Sequence, residues 1–179
     1  MRKMSLYFLY LKNSIRILFW KIRYGKKIDV DFIQCFGRGI SLSISKNAKV
    51  SLKKGITSRN NLAIRVEGGR LTVQKGCFFN INCSITCLDN ISIGEFCSFG
   101  NNIVIVDHDH DYKHISEGSF LTSATKIGNH VWIGANSVIL RGSQIGNHSI
   151  IAAGSIVSGI VPDNSVFYQE RVNKLKEIH

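Results

Sequence analysis

Six aliphatic residues recur at an interval of six in the second half of the chain. They are Ile127, Ile133, Ile139, Ile145, Ile151 and Val157. Glycine directly follows three of them, and serine takes the fifth place of four of the units. A helix repeats about every 3.6 residues and a strand about every two, so neither alone accounts for this interval. The period instead predicts a chain that turns a corner every six residues and points one aliphatic side chain inward on each side.

Three such sides close a triangular coil of about 18 residues, and stacked coils of this kind form a parallel β-helix. The hexads are regular from Ile93 onward, loose between residues 30 and 90, and absent between Asp107 and Thr125. We therefore predict an all-β solenoid over residues 29–166 with one long loop at residues 107–125. Because long loops that leave a rigid scaffold often carry function, we expect this loop to hold part of a site.

The N-terminal arm, residues 1–28, differs from the repeats in charge and pattern. It contains eight Lys and Arg residues and no acid, so it supplies +8 of the net charge of +11 and leaves +3 for the rest of the chain. Phe8, Ile15 and Ile22 recur at seven, with Leu11 and Leu18 between them, which predicts an amphipathic helix over residues 4–24. Two interpretations stay open. The helix either holds the protein near anionic lipid, or packs along the β-helix or against a neighbouring subunit.

Composition excludes several classes of protein. With 44% apolar and 20% charged residues, the chain is predicted to be neither disordered nor membrane-spanning. Positive charge is concentrated in the arm, so a nucleic-acid-binding surface is not predicted. Five cysteines without a disulfide spacing favour the reducing cytoplasm. The gaps between Cys77, Cys83 and Cys87 fit a zinc site poorly, and we interpret these thiols as small buried side chains.

The chemistry-bearing residues cluster where the loop begins. Residues 107–112 read Asp-His-Asp-His-Asp-Tyr, and His114 follows closely. A histidine held beside a rigid wall can act as a general base near neutral pH. Two histidines among three carboxylates, at the start of the long loop, therefore make His108 and His110 the candidate catalytic residues.

The hexads of residues 127–157, and especially the step Trp132-Ile133-Gly134, resemble the hexapeptide-repeat acyltransferases. The resemblance is to the branch of maltose and galactoside O-acetyltransferases and bacterial surface-polysaccharide O-acetyltransferases. It covers residues 72–162 well and 33–71 loosely, and leaves the arm outside. It implies a left-handed β-helix, a homotrimer with sites between adjacent subunits, and a loop histidine that deprotonates the acceptor hydroxyl for direct attack on acetyl-CoA.

Two ways of aligning the loop with this family, by counting residues from either end, select different histidines. Counting forward from Ile93 places His110 on the catalytic histidine of the family. Counting back from Trp132 favours His108, because this loop is two residues shorter than in the galactoside branch. We predict His110 as the base, since coils tolerate insertions less than loops do, and keep His108 as the second candidate.

The resemblance implies roles in two substrate sites for Asn80, Trp132, Ala135, Ala153 and Ser158, and the residues themselves add two acids and two lysines as candidates. The acceptor site is predicted to comprise Asn80, Trp132, Asp107 and Asp109, either acid also being close enough in sequence to fix the tautomer of the imidazole. The site for the donor, acetyl-CoA, is predicted to comprise Trp132, Ala135, Ala153, Ser158, Lys174 and Lys176. The chain departs from the family at two places. Family members often carry lysine where Gly159 stands, and the tail at residues 167–179 lacks their usual ending. We expect this tail to form a short basic helix.

Together with the residues above, the resemblance implies an acetyl-CoA-dependent O-acetyltransferase that works without a metal on a sugar hydroxyl of a bacterial surface polysaccharide, such as capsule or lipopolysaccharide, or its precursor. It is expected in the cytoplasm, at the inner face of the membrane if the arm binds lipid. One alternative is N-acetylation of a nucleotide-linked amino sugar or a small molecule. A metal enzyme of the γ-carbonic anhydrase kind and a non-catalytic β-helical scaffold are further alternatives.

Overall fold

The computed structural model of the protein describes residues 2–114 and 118–170, with side chains from Leu9 onward. Helix α1 (Arg2–Tyr24) comes first, followed by a 3-10 turn (Gly25–Lys27). Three parallel sheets then form the three faces of a prism, which we name A, B and C. Face A consists of β1 (Ile28–Val30), β4 (Lys49–Leu52), β7 (Arg70–Val73), β10 (Asn90–Ile93), β15 (Thr125–Ile127), β18 (Gln144–Ile145) and β21 (Ile160–Val161).

The other two faces are built from the strands that follow those of face A in each coil. Face B consists of β2 (Cys35–Phe36), β5 (Thr57–Ser58), β8 (Phe78–Phe79), β11 (Ser98–Phe99), β16 (Trp132–Ile133), β19 (Ile150–Ile151) and β22 (Val166–Phe167). Face C consists of β3 (Ser41–Ile44), β6 (Ala63–Val66), β9 (Ser84–Cys87), β12 (Val104–Val106), β17 (Val138–Ile139) and β20 (Ile156–Val157). We name the corners A–B, B–C and C–A after the faces they join.

The stack is a left-handed parallel β-helix, which confirms the predicted fold class. Residues 18 apart pair in register from β15 to β20, as with Ile127 and Ile145, and the last turn pairs residues 16 apart, as with Ile145 and Val161. The N-terminal coils are longer, since Val50 pairs with Leu71 and Leu71 with Ile91. The extra residues at the corners explain why the hexads are loose before residue 90.

The core is the column of inward side chains predicted by the hexads. Ile133, Ile139 and Ile151 have no exposed surface, and Phe79 stacks on Phe99 with ring centroids 4.4 Å apart. Buried corner serines bond to backbone carbonyls, as Ser137 Oγ does to Gly134 O at 2.7 Å. Burial of each aliphatic side chain contributes about 1.5–3 kcal/mol, so the column accounts for much of the stability of the stack.

Asparagines at the B–C corner form a ladder of side chains from one coil to the next. Each amide group donates to the next side-chain oxygen, at 2.9 Å from Asn61 to Asn82, 3.1 Å from Asn82 to Asn102 and 2.8 Å from Asn102 to Asn136. All four residues have φ near +60°, a conformation that asparagine adopts more readily than most residues. Asparagine therefore suits the backbone conformation of this corner, and its side-chain hydrogen bonds link each coil to the next.

Helix α1 closes the N-terminal end of the prism. Ile17 and Trp20 are buried against the first coil, where the Trp20 ring lies 5.9 Å from that of Phe36. Asn13 Nδ2 donates to Phe36 O at 3.3 Å, and Tyr24 Oη donates to Leu42 O at 2.7 Å. The predicted helix thus packs on the β-helix, but through residues other than those of the predicted apolar stripe.

At the C-terminal end, the last strand within the described residues is β22, which ends at Phe167. Residues 171–179, where a basic helix was predicted, lie outside the described residues, as do Lys174 and Lys176. Among the residues that are described, no helix combines the length and the apolar character needed to cross a bilayer.

Candidate active site

The predicted loop leaves the wall at the C–A corner as a β-hairpin. Strand β13 (His108–His110) pairs antiparallel with β14 (Phe120–Thr122), with His110 opposite Phe120 and His108 opposite Thr122. Alternate side chains of a strand point to opposite faces. His108, His110 and Phe120 therefore share one face of the hairpin, and Asp109 lies on the other.

Asp107 anchors the hairpin to the wall. Its side chain has no exposed surface, and its two oxygens accept backbone hydrogen bonds from Leu88 N and Asp89 N, each at 2.8 Å. Leu88 and Asp89 form the C–A corner of the third coil, between β9 and β10. A buried carboxylate is tolerated when charge-assisted bonds of this kind satisfy it. The start of the hairpin is thereby fixed to a coil that lies earlier in the chain.

His108 lies against this carboxylate. Its Nδ1 is 3.3 Å from Asp107 Oδ1, and only 16% of its side chain is exposed. Its ring meets that of Phe120 edge-on, with centroids 5.4 Å apart. A proton on Nδ1 would be donated to Asp107, which would leave Nε2 as an acceptor. Of the two acids predicted to orient a histidine, Asp107 is placed to orient His108.

His110 is exposed and projects from the same face. Its ring centroid lies 4.7 Å from that of Phe120, so one aromatic ring contacts both imidazoles. Within the described part of the chain, no carboxylate forms an ion pair with His110. Its imidazole is therefore sterically accessible to a substrate, and Phe120 limits its orientation.

Asp109 is turned away from both imidazoles and pairs with Arg141 Nε. Arg141 lies at the C–A corner of the fifth coil, between β17 and β18. The hairpin is thus held from two directions, by Asp107 to the third coil and by Asp109 to the fifth. This double attachment gives the long loop a defined position on the prism.

The other predicted site residues lie elsewhere on the prism. Trp132 is on face B with its ring outward and 55% exposed. Asn80, Ala135 and Ala153 follow strands of face B and line the B–C corner, where Asn80 Oδ1 accepts from Ile81 N at 3.0 Å. Ser158 alone shares the C–A corner with the hairpin. Face B is opposite the C–A corner, so one chain does not bring Trp132 and the histidines together.

Two residues that contact side chains of strand β13 were not predicted from the sequence. Phe120 lies in a part of the loop without periodicity, so no pattern singled it out. Arg141 did carry a signal, because it is the one Lys or Arg between Ile127 and Val157. A lone cation within apolar hexads indicates a specific acidic partner, which is Asp109.

Further features of the wall are separate from the hairpin. A shallow groove of about 560 Å³ runs along face A toward the A–B corner, lined by residues that include Ser92, Lys126 and Gln144. At the A–B corner the rings of His130 and His148 stack with centroids 4.9 Å apart. In residues 2–114 and 118–170, no group of three or more His, Cys, Asp or Glu side chains is arranged to hold a metal ion.

The fold and the repeats define a left-handed β-helical protein of the hexapeptide class. Residues 124–159 match the family described as bacterial transferase hexapeptide, six repeats. This match confirms the predicted resemblance to hexapeptide-repeat transferases.

Curated relatives match over part of their length. Nodulation protein L of Rhizobium meliloti (strain 1021) is 34% identical over 75 residues, 41% of this chain and 41% of the relative. Nodulation protein L of Rhizobium leguminosarum bv. viciae is 35% identical over 75 residues, 41% of this chain and 40% of the relative. The match therefore spans about two fifths of the length of these relatives.

Solved structures share the fold over most of the chain. A variant of AntD, an N-acyltransferase from Bacillus cereus in complex with dTDP-4-amino-4,6-dideoxyglucose and coenzyme A, has a TM-score of 0.65 at 16% identity. The alignment covers 87% of this chain and 86% of that one. A hexapeptide transferase family protein from Anaplasma phagocytophilum has a TM-score of 0.59 at 18% identity, covering 85% and 80% of the two chains. At these identities the likeness shows the fold.

Proposed function

We propose that the protein is an acetyl-CoA-dependent O-acetyltransferase that acts on a sugar hydroxyl of a bacterial surface polysaccharide or its precursor. The observation that carries the proposal is an accessible imidazole, His110, on a hairpin that is fixed at two points to a rigid wall. The match of residues 124–159 to the bacterial transferase hexapeptide family supports it. A fold shared with an acyltransferase crystallised with coenzyme A is consistent with it.

The proposed reaction is a direct transfer in a ternary complex. His110 takes the proton of the acceptor hydroxyl while the oxygen of that hydroxyl forms a bond to the acetyl carbonyl carbon. The C–S bond of the thioester then breaks, and the coenzyme A thiolate takes the proton back from the imidazolium. A positioned general base of this kind contributes roughly 10²–10⁴ in rate.

His108 is assigned a positioning role beside the proposed base. Its Nδ1 is engaged by Asp107 and its side chain is mostly covered, so it is less accessible to an acceptor than His110. Both rings pack on Phe120, which links the orientation of one to the other. His108 stays the second candidate for the base, because its Nε2 is free to accept a proton.

We propose that the enzyme is a homotrimer with its sites between adjacent subunits. The hairpin of one chain and its Trp132 face opposite directions, so a second copy is needed to complete a site that uses both. Exposed and half-buried apolar side chains lie in register on face C, as Val104 pairs with Val138 and Val138 with Ile156. Apolar patches on a surface of this kind are typical of association.

The donor site is proposed to follow the B–C corner of the neighbouring subunit, past Trp132, Ala135 and Ala153, with Ser158 at its end. Small side chains at this corner leave room for an extended ligand along the wall. The reaction is proposed to occur in the cytoplasm, beside the inner face of the membrane. All five cysteines are free thiols, in keeping with a reducing compartment.

The test is release of coenzyme A from acetyl-CoA with polysaccharide fragments as acceptors and amino sugars as the comparison. We expect His110→Ala to lower kcat by roughly 10²–10⁴. His114→Ala is the matched control, because this exposed histidine pairs with Asp111 farther along the hairpin. Activity retained by both His110→Ala and His108→Ala would refute the general-base proposal. Loss in His108→Ala alone would assign the base to His108, and faster turnover of amines would assign N-acetylation.

A further inference from the structure

The face of α1 that points away from the prism is apolar. Leu11, Ile15, Leu18 and Ile22 recur at intervals of four, three and four, and they are between 52% and 76% exposed. At about 100° per residue they lie on one line along the helix, opposite the buried Ile17 and Trp20. We call these four residues the outer stripe. It extends about 16 Å along the helix axis.

Positively charged side chains border the outer stripe on both flanks. Lys12 and Arg23 are exposed on one flank, next to the exposed Phe19, and Arg16 is half-buried on the same side. Partial burial lowers the pKa of Arg16, but its guanidinium stays charged. On the other flank, Lys21 lies over the ring of Phe32, 4.6 Å from its centroid. The arm contains no acid that could neutralise these charges.

A basic groove of about 350 Å³ adjoins the C-terminal end of α1 on face A. Five of its nine lining residues are cationic, namely Lys26, Lys27, Lys49, Lys53 and Arg70. Lys53 is paired with Asp29 at 2.7 Å, and hydrogen bonding to Lys53 lowers the pKa of that carboxyl. The other four cations form no ion pair within the part of the chain that the structure describes.

These charges favour a lipid surface over a second copy of the chain as the partner. Two copies meeting through the outer stripe would bring their Lys and Arg residues together without any acid to offset them. An anionic bilayer instead offers hydrocarbon to the stripe and phosphate groups to the cations that border it. Aromatic side chains such as Phe19 and Phe32, exposed at this end, suit the boundary between the two.

We propose that the outer stripe and the basic groove together bind the surface of an anionic phospholipid bilayer. The stripe enters the acyl region, and the groove holds headgroup phosphates of the same leaflet. This orientation directs the N-terminal end of the prism toward the membrane and leaves the hairpin on the side of the prism. The inference extends the proposed location and does not depend on the acetyl transfer.

The experiment is flotation of the whole 179-residue chain with vesicles of phosphatidylglycerol or of phosphatidylcholine, at low and high salt. We expect binding to phosphatidylglycerol that high salt weakens, and little binding to phosphatidylcholine. Ile15→Ser with Ile22→Ser should abolish binding. Lys26→Glu with Lys49→Glu should weaken it, at roughly five-fold or more for each cation removed.

Matched control variants carry the same types of substitution, Ile to Ser and Lys to Glu, elsewhere on the surface. Ile160→Ser and Lys126→Glu, both exposed on face A near the C-terminal end, should bind vesicles like the wild type. Coenzyme A release with a soluble acceptor should be unchanged in all four variants, which separates this inference from the proposed function. Far-ultraviolet circular dichroism checks that each variant is folded.

Three results would overturn the inference. The first is equal binding to both lipids, or stripe and groove variants that bind like the wild type. The second is a stripe variant that changes the oligomeric state in sedimentation velocity without changing vesicle binding, which would assign the stripe to a contact between copies. The third is saturable binding of inorganic phosphate by a protein that binds neither vesicle, which would assign the groove to a free phosphate.

Discussion

Replacing Asp107 with alanine tests how the hairpin is attached. The change leaves the backbone N–H groups of Leu88 and Asp89 without their carboxylate acceptor. A hydrogen bond to a charged group contributes about 1.5–3 kcal/mol, so the two together contribute about 3–6 kcal/mol. Because Asp89 is exposed, water can replace part of the lost acceptor there. We therefore expect a loss near the lower bound, about 3 kcal/mol of unfolding free energy.

The assay is urea unfolding at a fixed protein concentration, since an oligomer gains apparent stability by mass action. Asp109→Ala is the matched control, because it removes an exposed carboxylate that pairs with Arg141 and should cost less than about 1 kcal/mol. Asp107→Asn should fall between the two, as its remaining oxygen can accept one of the two N–H groups. Equal stability of Asp107→Ala and Asp109→Ala would refute the assignment of Asp107 as the anchor.

Three further predictions concern the wall. Ile133→Ala should lower the unfolding free energy by about 2–5 kcal/mol, measured by urea unfolding, because the side chain is fully buried in the central column. Asn102→Ala should unfold more easily than Asn102→Gly by about 1 kcal/mol, since both lose the ladder but only alanine is strained at a φ of 57°. Titration of thiols at mild alkaline pH should find at most Cys35 reactive in the native protein and all five after unfolding, because Cys35 is partly exposed whereas the other four thiols are buried out of reach of the reagent.

The sequence predicted the wall best where its repeats are shortest. From Ile127 onward each hexad matches one side of a coil, so the period alone identified the inward residues. In the first three coils the repeats are longer because residues are added at the corners, and the hexads cannot be followed. Cys77 and Cys97 are buried at corner positions and donate to carbonyls, as the serines of later coils do. The interpretation of Cys77, Cys83 and Cys87 as small buried side chains is confirmed.

Helix α1 shows where periodicity alone fails. Its outer stripe has the regular spacing that commonly marks a buried face, yet the structure buries Ile17, Trp20 and the polar Asn13 instead. Asn13 and Tyr24 are satisfied by backbone carbonyls of the first coil, which are acceptors that the sequence does not reveal. The choice between the two faces depends on contacts with residues far along the chain.

The candidate site was predicted only in part. His108 and His110 could be found because they interrupt the repeat, but the acids around them could not be assigned. The partner of Asp107 lies at Leu88 and Asp89, and that of Asp109 at Arg141, contacts that depend on which coils stack above and below the hairpin. The resemblance implied a role for Trp132, and the position of its strand on face B explains why the proposed site requires a second subunit.

Subunit complementation tests the proposed site between subunits most directly. His110→Ala and Trp132→Ala, each inactive alone, are expressed together and the mixed oligomers are assayed for coenzyme A release. If one chain supplies His110 and its neighbour supplies Trp132, random mixing in a trimer should restore about one quarter of wild-type activity, because about one interface in four then carries both native residues. Mixed oligomers that stay as inactive as either variant alone would contradict the account.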